Sequence, residues 1–598
     1  MKPVKLVLLN AVFAGLLFSC SGSGDSDGEG TGDPNELVKV EGGKFKGGVL
    51  RVNSIEDYTS LFPVGINDVY STHIAGNVYE GLFRFDQKTL ETLPALAESF
   101  DIDNSKTKYT FNIRKGIKFH DDECFEGGKG REVTADDFKY CLEYVCSNHE
   151  ANKWNSFFRG VIVGVEDYQS GKAKSVEGIK VVNDHTLEVK LEDPLASFPD
   201  MLALLATAVY PHEAIEKYGY EGMDEHMVGT GPFIPTEISN GKIVKFKRNE
   251  NYWRVDEFGN KLPFLAQIEV SFIKDKKEEL EAFKNDELDM VWGLPVEEIP
   301  NIMGSLEEAK EGKNKEFKIQ SVNSLNIQYY GFRFTSETFK DINVRKAFNY
   351  AVDRDSLVEF VLDGEGVAAH NGFVPPMKSY PYESVKGFNY DPKLAKQFMA
   401  KAGYPNGKGF PELTLYLNKS GGVNVKIAEF ITAMLKDNLG VKIKLETMPM
   451  SDLYPKVEAG ELDFWRFGWI ADYPDPATFL HLFHSSTNAE SGDKANNYFG
   501  YSSEKFDATF EEALKEIDPE KRNKLYAAAD QIIIDDAVIM PLMFTVGIRL
   551  INPELNDFDI NEMEYRDMSV VYLKEREKSN VRVYDNIGGE EDEEYSEE

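Results

Sequence analysis

The chain has 598 residues, and its 67 Lys and Arg against 102 Asp and Glu leave a formal charge of −35. Such a self-repelling negative field excludes nucleic acid as a partner and favours solubility. With 42% hydrophobic, 12% aromatic and 28% charged residues the composition excludes global disorder and suits several domains, and four cysteines are too few for a disulfide scaffold.

The first predicted element is a signal segment. Lys2 and Lys5 precede a mostly apolar run from Leu6 to Phe18, interrupted by Asn10, which ends Leu17-Phe18-Ser19-Cys20. The run is short for a membrane span, and no later stretch approaches the roughly 18 uninterrupted apolar residues one needs. A small residue ahead of a cysteine at the cleavage position resembles a bacterial lipobox. That resemblance implies that Cys20 becomes the first mature residue and carries acyl chains, so that residues 1–19 are removed and the protein is anchored to a membrane. The competing reading is a plain secretory signal. From Ser21 to Gly43 the chain is mostly Gly, Ser, Asp and Glu, which predicts an acidic tether over 20–43 and a folded body starting near Lys44.

Within the body, Tyr109, Phe111 and Ile113 alternate with polar neighbours, as do Leu187, Val189 and Leu191, which predicts strands with one buried face. Between them Thr134 and Asp137 have capping-box spacing and open a helix. Further strands are expected at 243–247, 413–417 and 441–445. Val344, Ala347, Phe348, Ala351 and Val352 follow a helical period, with Asn343 as the expected N-cap. Gly588 to Glu598 is mostly Glu and reads as a solvated acidic tail. Of the cysteines after Cys20, Cys141 and Cys146 are poorly placed to pair with each other on one helix. A bridge from Cys124 to either, or free thiols, both fit.

The common catalytic signatures are missing: there is no Walker-type phosphate loop, no Gly-x-Ser-x-Gly elbow and no His-Glu-x-x-His pair. His481 and His484 are close enough to share a helix face, with Asp472 and Asp475 upstream, but a zinc site needs a third ligand in compatible geometry. No metal site is assigned and no cofactor is expected. His120-Asp121-Asp122-Glu123 reads as a solvated turn, and Gly127-Gly128 and Gly421-Gly422 as turns.

Six segments, taken in order, resemble the extracellular solute-binding proteins of ABC importers, in their oligopeptide- and dipeptide-binding family. They are Pro94-Ala-Leu-Ala-Glu-Ser-Phe100 with 109–120, Val133 to Phe138, Gly229-Thr-Gly-Pro-Phe233, Arg248-Asn-Glu-Asn-Tyr-Trp253, Val344 to Arg354, and Trp469-Ile-Ala-Asp-Tyr-Pro-Asp-Pro476. The turn from Asp122 to Val133 is longer than the usual pattern. The resemblance implies an α/β, periplasmic-binding-protein-like fold: two α/β lobes around a ligand cleft, with an additional third subdomain. Lobe I is expected at 44–79, 207–323 and 545–587, the extra subdomain at 80–206, lobe II at 324–544 and the tail at 588–598.

The resemblance also implies a function, a monomeric, non-enzymatic receptor outside the cytoplasm that captures short peptides and delivers them to an ABC permease in the membrane. Within 463–473 it places an acid that takes the ligand's amine at Asp472 and an arginine that meets a carboxylate at Arg466. Trp469 and Tyr473 are expected to line the pocket. Basic residues that some oligopeptide binders carry upstream are replaced here by Met450 and Val457, which leaves peptide length open. Relatives of the same fold carry nickel chelates, haem, opines or oligosaccharides, so cargo does not follow from fold. The rival classes are an exported hydrolase using His481 and His484, and a surface lipoprotein serving display.

Overall fold

The computed structural model describes residues 33–294, 317–362, 364–418, 422–487 and 497–575. The signal segment, Cys20, Gly421 and the tail at 588–598 lie outside the described residues.

Two α/β lobes and a third unit are built on separate sheets. In lobe II a six-stranded sheet has the order Val367–Ala368, Ile539–Phe544, Asn326–Phe332, Phe464–Ile470, Leu413–Asn418, Ile443–Met448. Its central strand, Phe464–Ile470, runs antiparallel to Asn326–Phe332 and parallel to Leu413–Asn418. Alternation along that strand feeds two apolar layers, because successive side chains leave opposite faces of a sheet. Trp465 and Phe467 join Tyr329, Phe483 and Phe499 on one side, while Phe464 joins Tyr330, Phe332, Phe348 and Leu415 on the other.

Lobe I carries a four-stranded sheet, Phe233–Ser239, Ile243–Arg248, Gln267–Ser271 and Val49–Asn53, and a three-stranded one, Met290–Trp292, Val546–Ile551 and Lys318–Asn323. The third unit is the antiparallel sheet Ala97–Ile102, Lys108–Ile113, Thr186–Lys190, Ile179–Asn183, with helix Ala135–Val145 packed on it. Its core is continuous with that of lobe I, since Leu50 and Val52 belong to the same apolar cluster as Phe111 and Leu187.

Among the described residues the chain passes between the lobes twice, side by side. Asn323 ends a lobe I strand and Asn326 begins one in lobe II, while Phe544 and Val546 do the reverse. The two crossings are pinned together: Ser324 N donates to Thr545 O at 3.0 Å, Thr545 N donates to Asn326 Oδ1 at 3.0 Å, and the Asn326 amide donates to the Thr545 hydroxyl. A paired double crossing of this length suits a hinge, which needs only a few residues to absorb rotation.

Several sequence expectations change. Val38–Lys39 pairs with Phe45–Lys46, and Gly48 N donates to Pro34 O at 2.7 Å, so ordered structure begins ahead of Lys44. Leu37, Val38 and Val40 supply apolar side chains that the acidic average of 20–43 hides. The helix at Ile342–Tyr350 is capped by Asp341, whose carboxylate accepts from Asn343 N at 2.8 Å, and not by Asn343. His120 is buried rather than part of a solvated turn; its Nε2 bonds Gly231 O at 2.9 Å, tying this turn to the Gly229–Gly231 stretch. Cys124, Cys141 and Cys146 are free thiols. The Thr134 capping box forms with Asp137 as the spacing predicts. Among the described residues no helix is long and apolar enough to cross a membrane.

Candidate functional site

The sequence-predicted residues fall at one place, where the central strand of lobe II ends beside the hinge. Strand Phe464–Ile470 leads into a loop at 471–476, and Ala471 N donates to Leu325 O at 2.9 Å, so the loop is bonded directly to one crossing segment. Within four residues the chain moves from one core to another: Trp469 packs on the lobe II cluster, Tyr473 on the cluster shared by lobe I and the third unit. Any rotation at the crossing therefore acts on this loop.

Arg466 is half-buried on the strand face that also carries Gly468. Its guanidinium donates to Asn418 Oδ1 at 3.0 Å and to Gln328 Oε1. Among the described residues no carboxylate lies within ion-pair distance of it. Burial pulls its pKa below the ordinary arginine value, with Tyr330 and Tyr329 opposing. A guanidinium offers five N–H donors, so this one has two engaged by neutral amides and its charge uncompensated.

Asp472 is its counterpart. Its carboxylate accepts from Thr478 Oγ1 at 3.1 Å, and its amide donates to the same oxygen at 3.0 Å. Among the described residues it has no cationic partner. Burial raises its pKa to about 6, against the Thr478 bond. Loss of hydration without a countercharge is what shifts an acid in this direction. Residues 466 and 472 are separated by at most about 20 Å of extended chain, and a three-residue peptide spans about 10 Å.

Trp469 is half-buried, packs edge-on against His481 with ring centroids 5.4 Å apart, and among the described residues its indole N–H has no hydrogen-bond partner. Trp465, by contrast, is a core residue with no exposed surface. Tyr473 is buried; its phenol pKa is raised by burial and then by Asp475, Asp472 and Asp200. Asp200 comes from the third unit, accepts from the Thr92 hydroxyl, and is raised to about 6, mainly by burial. Asp475 is held by Ala477 N at 2.9 Å and sits 3.9 Å from Arg522.

His481 and His484 do not meet at Asp472 and Asp475: His481 Nδ1 faces Ala477 O at 3.3 Å, while His484 faces Ser486 Oγ at 2.7 Å and two other acids, Glu511 at 3.2 Å and Asp507 at 3.9 Å. Among the described residues no group of three or more His, Cys, Asp or Glu is arranged to hold a metal. A recess of about 690 Å³ in lobe I is lined by Arg51, Asp289 and residues near both ends of the described chain, such as Asn35 and Lys574. It contains none of these candidates. Sequence reasoning missed Gln328, Asn418 and Thr478. Gln328 left a legible trace, an amide set between Ile327 and Tyr329 inside Asn-Ile-Gln-Tyr-Tyr-Gly-Phe, where the residues after Asn326 otherwise suit a buried strand.

Residues 91–491 match the family model described as bacterial extracellular solute-binding proteins, family 5 Middle. Heme-binding protein A of Haemophilus influenzae is 29% identical over 489 residues, covering 80% of this chain and 84% of that protein. The oligopeptide-binding protein OppA of Bacillus subtilis is 27% identical over 553 residues, covering 91% and 94%. Among solved structures, a periplasmic oligopeptide-binding protein of Borrelia burgdorferi, OppAIV, superposes with a TM-score of 0.74 at 28% identity, covering 88% of this chain and all of that one.

Proposed function

Because the chain belongs to the family 5 bacterial extracellular solute-binding proteins, we propose that it captures short peptides between its lobes and presents them to an ABC permease. The ligand's amine pairs with Asp472 and its carboxylate with Arg466; Trp469 and Tyr473 line the space between. The observation that carries this reading is the pair of opposite, half-buried charges, each lacking a countercharge among the described residues, on one short stretch beside the hinge. A zwitterion of matching length compensates both. Closure over it stabilises the closed form by its differential affinity for that form, and a permease then has a ligand-dependent shape to recognise.

The protein acts by binding alone, as a monomer, with no cofactor. It is held at the membrane through Cys20 and a tether, outside the cytoplasm. The names of the Bacillus and Borrelia relatives support peptide cargo. Calorimetry with a random tripeptide pool tests it. Wild type binds, and Asp472→Asn weakens binding by about thirtyfold or more, since removing one member of a desolvated charge pair costs about 2–5 kcal/mol. Unchanged affinity in Asp472→Asn rejects the amine assignment.

A second reading keeps the receptor and changes the cargo to haem, as the name of the Haemophilus relative suggests. Titration with haemin followed at the Soret band separates the two. Saturable binding that a peptide pool does not displace favours haem.

A further inference from the structure

We infer that Gln328 and Gly468 form a device that holds Arg466 in register for a ligand carboxylate without neutralising it, and so makes a free C-terminal carboxylate the feature the site selects. The inference rests on the peptide reading above.

Gln328 lies on Asn326–Phe332, directly opposite Gly468 on Phe464–Ile470, while Arg466 is opposite Tyr330. Gln328 and Arg466 are thus diagonal neighbours on one sheet face, a separation that long side chains span. To reach Arg466, the Gln328 amide must lie across the strand above residue 468. Glycine leaves that space: a Cβ added there would stand 2.9 Å from both Oε1 and Nε2 of Gln328, closer than such atoms pack. The amide oxygen then accepts from one arm of the guanidinium, while Asn418 Oδ1 accepts from the other at 3.0 Å. Asn418 Oδ1 also accepts from the amide of Asn424, a buried residue, at 3.0 Å, which fixes Asn418 in turn.

The choice of amides matters. Carboxylates at 328 or 418 would position the arginine equally well and would also cancel its charge, leaving little for a ligand anion. Neutral acceptors set the plane of the fork and leave the charge to be matched from outside, and a planar fork set in place is what bidentate carboxylate recognition requires. Gln328 is therefore a positioning residue, and Gly468 acts through it.

The experiment compares a random tripeptide pool with the same pool amidated at the C-terminus, by calorimetry, on wild type and on Gln328→Met, Gln328→Glu, Gly468→Ala, Gln328→Ala and the Gly468→Ala/Gln328→Ala double variant. Thermal unfolding checks that each variant is folded; Gln328→Met conserves volume. Wild type is expected to prefer the free acids about tenfold or more. Gln328→Met and Gly468→Ala reduce that preference several-fold, and Gln328→Glu abolishes it by supplying an internal carboxylate, all with little effect on the amidated pool. Gly468→Ala adds nothing once Gln328 is alanine. If Gln328→Glu keeps the wild-type preference, or Gly468→Ala acts independently of Gln328, the positioning role is refuted while the peptide reading survives. If wild type takes both pools equally, Arg466 does not meet the carboxylate and the inference falls with that assignment. If wild type binds neither pool, the peptide reading itself fails.

Discussion

Asp472, half-buried, and Asp530, fully buried, are both carboxylates of lobe II, and loss of hydration raises both to about 6. They differ in what surrounds them. Asp530, on helix Pro519–Asp535, has no solvent exposure and accepts from Phe373 N at 2.9 Å, Val374 N at 3.2 Å and Tyr380 Oη at 2.8 Å. Gly372 leaves room for it, because a Cβ there would stand 2.0 Å from Oδ2. Asp472 has one side-chain donor, Thr478, on the short helix Ala477–Leu480 that follows its loop. The arginines divide the same way. Arg354 donates to the carbonyls of Pro541, Asn349, Val352 and Phe388 and to the Asn349 side chain, whereas Arg466 has two side-chain amides. A buried charge whose bonding capacity is filled by its own fold is part of the scaffold. One left half-filled beside a hinge is available to something else.

The largest effect expected from this contrast is on stability. Asp530→Ala strands three donors in a dry interior and lowers the unfolding free energy by about 3–5 kcal/mol, read from urea denaturation. Asp472→Asn does the opposite in the ligand-free protein. An acid whose folded pKa is raised from 3.8 to about 6 disfavours the folded state increasingly as pH rises through that interval, by at most about 3 kcal/mol above pH 6. Removing the charge therefore raises the melting temperature at pH 7 and has little effect near pH 4. A variant that loses stability at pH 7 as Asp530→Ala does would erase the distinction.

Next in size is the pH dependence of binding. On the proposed peptide reading, a ligand ammonium opposite Asp472 would lower its pKa in the complex, so binding would release a proton between the bound and free values. Peptide affinity is flat above pH 6 and falls towards tenfold per unit below it, and Asp472→Asn removes that limb. Asp200 also titrates near 6, but it lies on the third unit, and Asp200→Asn leaves a limb due to Asp472 intact. Calorimetry at pH 5, 6 and 7 in two buffers of different ionisation enthalpy reads both the affinity and the proton released.

The alternation at 109–113 and 187–191 and the capping box at Thr134 were legible because periodicity and cap chemistry are local. Asp472 and Arg466 became candidates only through a motif, since nothing local distinguishes an acid before Tyr-Pro from a turn residue. Gln328 and Asn418 stand 138 and 48 positions from the arginine they hold, so their role exists only once strands are registered. Gly468 had no visible reason in one dimension, because the side chain it makes room for arrives from another strand. The same limit hid His120, which reads as a turn until Gly231 supplies its acceptor.

The smallest predicted effect concerns the ion pairs that join units across their surfaces. Lys515 Nζ lies 2.9 Å from Asp193, and Lys378 Nζ 3.4 Å from Glu91; each pair links lobe II to the segment at 80–206 with side chains half or more exposed. They look like latches, yet exposed pairs contribute only about 0–1 kcal/mol and are screened by salt. Substituting both lysines with alanine should change peptide affinity less than about threefold, and the difference should vanish at 0.5 M NaCl. On the proposed reading the half-buried pair obeys a different rule: closure over the ligand would keep salt from Asp472 and Arg466, so losses in their variants should persist at high ionic strength. If the lysine variant matched Asp472→Asn in its loss, closure would be held by surface charge and the contrast between filled and half-filled buried charges would not govern binding.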